Sequence, residues 1–500
     1  MMGAPRALVQ RVHAGAGSVF GALLFVILLT GAWSMAHEDL RTWFRGPAAL
    51  APGPLLPLGE WLEIARRQGL ALAELRIRLP DNTRPLVELC PSPKDCSLAL
   101  DPATGRELDP VHAADIPFDL HKSLFLGFPG RILVSLFGVV LLLLIVAGSA
   151  LHSGRLRDLK RLRRDRGPRL LAHDLHSLIG CWAGPWLLLF GLTGALSGLG
   201  ALGTLGLAGQ AFPGAPQQAF VQLLGAPPEV VPVAGAGQGL DLDRLLDDDA
   251  AAHPGFVAQS VALHRWGEPQ AWVEVAGIQP GLPSTAVFER HAYRGADGSP
   301  LGGSSASGRG FWVQAFIAVQ PLHFADYRWL PRAAPLLRAL HFCMALAAAM
   351  LVLSGLYLWL ERRRTRAGAG WQVLLRLVVG GCGGLLVACA LLLCAAALAN
   401  LGLIPRQGLG GWFWGGWSAS LLLACGLPPR RQPLALLLSV AGLAFLGAGV
   451  LHLGASLNPL NLAVWPIDLV LSLGGASALW AAWRLVSITR SAALADANVY

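Results

Sequence analysis

The stretch His13-Ala-Gly-Ala-Gly-Ser-Val-Phe-Gly-Ala-Leu-Leu-Phe-Val-Ile-Leu-Leu-Thr-Gly-Ala32 decides the fold. Its interior is apolar over a bilayer's length, with an imidazole at one mouth and Thr-Gly-Ala near the other. The same template returns later in the chain. His13 precedes Gly17 by four residues and Thr30-Gly31-Ala32 by seventeen, and His176 stands in the same relation to Gly180 and to Thr193-Gly194-Ala195. A looser match follows each copy. Leu120-His121 and Leu322-His323 both stand just before a further apolar run, and Ala147-Gly148 and Ser354-Gly355 both stand near its end. An internal repeat fixes architecture. Here the unit is helix, polar domain, helix, used twice, and four helices in that order form a bundle with ligand sites between facing helices.

Composition agrees. The chain has 500 residues, 54% hydrophobic and 14% charged, with a mean hydropathy of +0.53, where a soluble chain carries about 25% charge. Eight runs are long and apolar enough to span: about 14–36, 130–151, 177–200, 336–360, 372–398, 411–427, 433–452 and 462–484. The net charge of +9 is concentrated beside these runs, in Arg155–Arg169, in Arg362, Arg363, Arg364 and Arg366, and in Arg430 and Arg431. That placement follows the positive-inside rule and puts both termini in the cytoplasm of a bacterial inner membrane. No basic face interleaved with aromatics suits nucleic acid.

The expected divisions are 1–36 (cytoplasmic N-terminus and first helix), 37–129 (first periplasmic domain), 130–200 (helices two and three with a basic loop), 201–335 (second periplasmic domain), 336–366 (fourth helix with its basic end) and 367–500 (four further helices). Ser34-Met-Ala36 resembles a signal-peptide cleavage site, but the duplication argues that the first run is retained. Leu98–Leu108 reads as two strands around the turn Asp101-Pro-Ala-Thr-Gly105, and Ala286–Leu301 as a second hairpin around Gly295-Ala-Asp-Gly298. Arg265-Trp266 and Trp272 suit strands of a small sheet. The last four helices show almost no interior polar groups, and Trp412, Trp414 and Trp417 fit an interfacial aromatic belt.

Among eight cysteines, Cys90 and Cys96 lie in a polar segment and are disulfide candidates if it is periplasmic. Cys181, Cys343, Cys382, Cys389, Cys394 and Cys425 read as small buried residues. Gly198-Leu-Gly-Ala-Leu-Gly203 matches a dinucleotide fingerprint only as a string, because it follows an apolar helix and lacks the acidic partner; no flavin or NAD site is visible. Asp241–Asp249 lacks the spacing of a calcium loop and reads as a solvated helix face.

The histidines carry the functional reading. Of thirteen, eight lie at or near the ends of the first four helices. His13, His152, His173 and His176 fall at the cytoplasmic ends, and His37, His121, His323 and His341 at the periplasmic ends. Neutral imidazole is a common metal ligand, and an ionisable group at membrane depth is a functional hypothesis by default. A b-type haem needs two imidazoles from facing helices with a planar apolar slot, which Gly15, Gly17, Gly180, Ala183 and Gly184 are small enough to leave. Two clusters imply two haems. Cys-x-x-Cys-His does not occur, which excludes the usual c-type attachment. Histidines that only anchor helix ends, and a transition-metal transport path, are the competing readings.

These segments together resemble the PepSY-associated transmembrane helix family, which includes inner-membrane ferric-siderophore reductases. The resemblance is carried by His13–Gly17 with Leu29–Ala32, by Leu120-His121-Lys-Ser-Leu124 through Gly130-Arg131 to Ala147–His152, by Asp174–Gly180 with Leu192–Ala195, and by Pro321–Asp326 with Ser354–Trp359. Asp101–Gly105 looks like the strand-turn of a PepSY-type domain. The resemblance covers about 8–365 and implies a four-helix haem-binding core with PepSY-like periplasmic domains. It implies ligand candidates at His13, His121, His152, His173, His176, His323 and His341, the family's function being reduction of a ferric-siderophore or other ferric complex. Three features depart from it: the second polar domain keeps a degenerate turn, Trp359 stands where the repeat would match His152, and 371–484 lies outside it.

The expectation is thus a mainly α, polytopic membrane protein with a duplicated four-helix core, small α+β periplasmic domains and four additional C-terminal transmembrane helices. Its expected function is electron transfer through haem b, from an unidentified donor (quinol is possible), to a periplasmic ferric complex. The alternatives are a non-enzymatic module that binds or regulates a periplasmic partner, and a metal or siderophore permease component.

Overall fold

The computed structural model describes residues 4–46, 50–92, 96, 98–151, 162–163, 167–219, 221, 225–226, 228–233, 239–366, 368–427, 431–455 and 465–497. It resolves into two compact units. One comprises Met1–Pro47, Val111–Ala195 and His341–Tyr500, and the other Ala48–Pro110 and Leu196–Leu340.

The first unit is helical and apolar. Across the chain, seven helices among the described residues are long and apolar enough to cross a bilayer: Pro5–Met35, Gly127–Leu151, Gly184–Ala211, Ala334–Arg363, Ala369–Asn400, Pro433–Ala455 and Pro466–Ser487. The eighth expected span, 411–427, is a helix at Leu409–Gly426 of 18 residues that is not among these seven. At 1.5 Å per residue it is about 27 Å long. The expected continuous helix over 177–200 is broken. Pro168–Trp182 and Gly184–Ala195 are separate α-helices, and Leu196–Gly200 is a π turn. Pro185 stands in the first turn of Gly184–Ala195, where its missing N–H costs least. The string Gly198–Gly203 is therefore helical, not a phosphate loop.

Small residues let these helices approach. A Cβ at Gly138 would meet Ala195 N at 2.6 Å and Gly191 O at 2.8 Å. A Cβ at Gly442 would meet Gly475 O at 2.9 Å, so Arg431–Ala455 and Trp465–Ala497 also touch backbone to backbone. Close backbone contact is how membrane helices gain dispersion energy where lipid removes any hydrophobic drive. Three of the six unpaired cysteines depart from the sequence reading: Cys181, Cys343 and Cys425 lie on the helices' outer surface, Cys382 and Cys389 are buried, and Cys394 is intermediate. A lipid-facing thiol meets no polarity penalty, so the apolar run alone does not say which way it points.

The second unit holds one antiparallel sheet of seven strands: β1 Arg76–Arg78, β2 Val87–Cys90, β3 Leu98–Leu100, β4 Val257–His264, β5 Trp272–Ile278, β6 Arg290–Arg294 and β7 Pro300–Ser304. Their order is β3-β2-β1-β4-β5-β6-β7. The sequence suggested a separate domain in each polar stretch. Instead β1 pairs with β4, Arg76 opposite Ala262 and Arg78 opposite Ser260, so both stretches share one sheet. The physical reason is edge protection: a three-stranded meander alone would leave β1 an open edge. The core is likewise shared. Trp61, Leu62 and Ala65 of the helix Leu58–Arg67, and Leu242 and Leu245 of the helix Leu242–Ala252, pack with Ile77, Leu89, Val261, Val273 and Val275. The Asp243 carboxylate accepts the Leu58 N–H at 2.9 and 3.0 Å and joins the starts of the two helices.

Both hairpins form as expected. Asp101 accepts Ala103 N–H and Thr104 N–H, Gly105 takes φ +67°, and Leu100 bridges to Glu107. β6 and β7 flank a turn that ends on Gly298 at φ +72°. Cys90 and Cys96 form a disulfide. Arg265, expected in a strand with Trp266, instead falls in the turn after β4 at φ +51°.

Ile77 is fully buried at the strand that knits the two stretches together. Ile77→Ala is expected to destabilise the full-length, detergent-solubilised protein by about 2–5 kcal/mol, read by thermal unfolding, with the apolar helices retained.

Candidate histidine centre between the helices

Two histidines meet at one end of the helical unit. The His13 and His176 ring centroids are 6.1 Å apart, with the planes 78° to one another. Each ring is held the same way. His13 Nδ1 donates to Leu144 O at 3.0 Å, on the facing helix Gly127–Leu151. His176 Nδ1 donates to Leu351 O at 3.1 Å and to Ser354 Oγ at 3.0 Å, on Ala334–Arg363. A carbonyl only accepts, so Nδ1 carries the proton and Nε2 is left with its lone pair.

A glycine four residues after each carbonyl makes room for the ring. A Cβ at Gly148 would lie 3.2 Å from His13 Cε1, and one at Gly355 would lie 3.0 Å from His176 Cε1. The loose sequence match of Ala147-Gly148 with Ser354-Gly355 thus marks a repeated packing element, a notch for an imidazole.

The other end repeats the device. His121, on the short helix Ile116–Ser123, donates Nδ1–H to Ile27 O at 2.8 Å, four residues before Gly31, whose Cβ would lie 3.0 Å from His121 Cε1. His341 is fully buried, with its ring 4.9 Å from Phe190. Phe190 precedes Thr193 by three residues, as Ile27 precedes Thr30. Within the helical unit the His341 ring thus lies against the residue that corresponds in the repeat to Ile27. His323 closes the helix Phe311–His323 in the other unit, with its ring against Phe324.

The remaining histidines separate from these. His173 has a half-exposed side chain and lies 3.7 Å from Asp174, whose carboxylate is engaged by Arg163. The Nε2 of His37 bonds Asp115 at 2.8 Å and its ring stacks on Phe118. His152 lies outside the described residues.

One buried centre was missed from the sequence. The C-terminal helices were read as nearly free of interior polar groups, yet Asp468 and His452 are both buried there. His452 Nδ1 donates to Asp468 Oδ2 at 3.0 Å, Trp43 Nε1 donates to Asp468 Oδ1 at 2.7 Å, and the Trp43 and His452 rings stack at 4.4 Å. Nearby, Arg406 donates to Phe44 O at 3.1 Å and to Arg45 O at 3.0 Å, capping the end of the helix His37–Arg45. These bonds tie 371–497 to the N-terminal helices. The lone carboxylate at the start of an apolar run was the available signal. Trp417 also turns inward, Nε1 to Gly381 O at 2.9 Å, while Trp412 and Trp414 stay exposed as a belt requires.

Asp468→Ala leaves two buried donors without their acceptor, so thermal unfolding is expected to register a loss of about 2–5 kcal/mol. Asp468→Asn, which keeps one acceptor oxygen, is expected to lose less.

The family model described as "PepSY-associated TM region" matches residues 10–362. The uncharacterized protein PA4219 of Pseudomonas aeruginosa is 54% identical over 373 residues, covering 74% of this chain and 94% of that protein. The match takes in every histidine of the two clusters and stops before the helices that carry His452 and Asp468.

Proposed function

The chain belongs to the PepSY-associated transmembrane family, and from that premise we propose that it is a haem-carrying redox protein of the bacterial inner membrane that reduces ferric complexes outside the cytoplasm. The observation that carries this reading is the His13–His176 pair. Two imidazoles on helices of the two repeats lie 6.1 Å apart, each with Nδ1 engaged by a backbone carbonyl. A shared metal with about 2 Å to each ligating nitrogen suits rings at this separation, and an Nδ1–H bonded to a carbonyl is the usual outer partner of a ligating histidine. The residues therefore fit a b-type haem. His121 and His341, at the other end, are the ligand candidates for a second.

Haem, when bound, supplies one-electron transfer within an apolar bundle. The chain's own residues do the rest. Gly148, Gly355 and Gly31 keep backbone close to the rings, and Leu144, Leu351 and Ile27 hold ring orientation and tautomer. The basic clusters Arg155–Arg169 and Arg362–Arg366 favour the cytoplasm for the His13–His176 end and for both termini. Near His121, a cleft of about 460 Å³ is lined by Asp119, Lys122, Ser123, Phe125, Gly127, Phe128 and Arg131. Its aromatic rings and its two cations, one of them 3.8 Å from the Asp119 carboxylate, leave a net positive lining that suits an anionic, partly aromatic ferric complex. Reduction weakens such a complex because ferrous iron binds hard oxygen ligands less tightly. The electron donor is not assigned; quinol is one candidate.

The purified protein is expected to show a Soret band and sharp α-bands on reduction, with up to two haems per chain. His13→Ala and His176→Ala should each remove the same haem and leave the other. A colourless preparation from haem-replete cells would falsify the proposal and leave a partner-binding anchor or a permease component.

A further inference from the structure

The run Asp241–Asp249 was expected to be a solvated helix face, and its last member is not. Asp249 has a relative exposure of 2% in the second unit, near the end of the helix Leu242–Ala252. Its Oδ1 alone receives three donors: His253 Nδ1 at 3.0 Å, His291 Nδ1 at 2.7 Å and the Tyr293 hydroxyl. His253 caps the helix, whereas His291 and Tyr293 sit two apart on β6 and so share one face of the sheet. The two imidazoles stack face to face, centroids 3.7 Å apart, and Phe256 backs His291 at 4.3 Å. One ligand atom from each of Asp249, His253 and His291 lies within 4.8 Å of the others.

Burial alone would raise the Asp249 carboxyl, but hydrogen bonds from His291 and Tyr293 outweigh it and hold the group ionised, below the usual carboxylate range. Burial, together with the bond to Asp249, pushes the Tyr293 hydroxyl up. The result is a fixed negative charge facing two parallel imidazoles, both turned by the same nitrogen toward one point.

We propose that Asp249, His253 and His291 form a binding site for one divalent first-row transition-metal ion, with Tyr293 as an adjoining oxygen donor. The chemistry of the donors sets the class. Two imidazoles and one carboxylate suit zinc, cobalt, nickel, copper or ferrous ions, whereas calcium and magnesium take all-oxygen sets. Binding replaces the Nδ1 protons by the metal on neutral imidazole, so each proton shifts to Nε2. The ion would clamp the end of Leu242–Ala252 onto β6. His253, whose side chain is 40% exposed, leaves an aqueous route to the site. The proposal is independent of the haem reading, because its residues lie outside the helical unit.

The test uses the full chain in detergent, treated with a chelator and then freed of it. Titration with Zn²⁺ by calorimetry, and with Co²⁺ followed by visible absorption, is expected to show a saturable site of about one equivalent. That site should weaken at least tenfold in His253→Ala and in His291→Ala. Zn²⁺ should raise the unfolding temperature of the wild type and not of these variants. His253 is half-exposed at a helix end, so His253→Ala keeps the test open if His291→Ala fails to fold. Absence of a saturable site in the wild type, or equal Zn²⁺ stabilisation in wild type and His253→Ala, overturns the proposal and leaves a purely hydrogen-bonded cluster.

Discussion

An imidazole at membrane depth must find an acceptor from protein, since lipid offers none. This constraint organises the helical unit. At three places a histidine ring reaches across to a facing helix and donates Nδ1–H to a carbonyl four residues before a glycine: Leu144 with Gly148, Leu351 with Gly355, and Ile27 with Gly31. The glycine is not there for flexibility. It removes the Cβ that would otherwise meet the ring at 3.0–3.2 Å. Helix spacing, ring orientation and tautomer thereby become one property, so any change to the notch is a change to the ligand geometry.

Polar groups elsewhere obey the same rule on different terms. Asp468 is buried in the C-terminal helices with Trp43 and His452 each donating to one of its carboxylate oxygens. That cluster, with Arg406 on the end of His37–Arg45, gives the region beyond the family match a structural attachment to the matched core. In the other unit Asp249 is buried on three donors, and its partners come from a helix end and from β6. In both cases a buried carboxyl group is satisfied by hydrogen bonds rather than by exposure.

Much of this was legible in the linear order. The His-to-Thr-Gly-Ala spacing announced the duplication, and the notched glycines Gly148 and Gly355 were already visible as its loose second half. Asp101–Gly105 and Gly295–Gly298 announced their hairpins because turn chemistry is local. Asp249 was misread for the opposite reason. Its neighbours Asp241, Asp243, Asp247 and Asp248 made it look like one of a solvated set, and only its place on the helix circumference turns it toward His291 and Tyr293.

What the chain determines by itself is whatever depends on local spacing: apolar runs long enough to span, the repeat, the turns, and the residues able to bind metal. What the tertiary structure alone decided is every partnership across long separations. β1 joins β4 across some 180 residues to merge two polar stretches into one sheet, and Trp43 finds Asp468 over 425 positions. Spacing within a helix or hairpin is set by backbone geometry and can be read in order. Which distant acceptor satisfies a buried donor is set by packing, and packing exists only once the chain has folded.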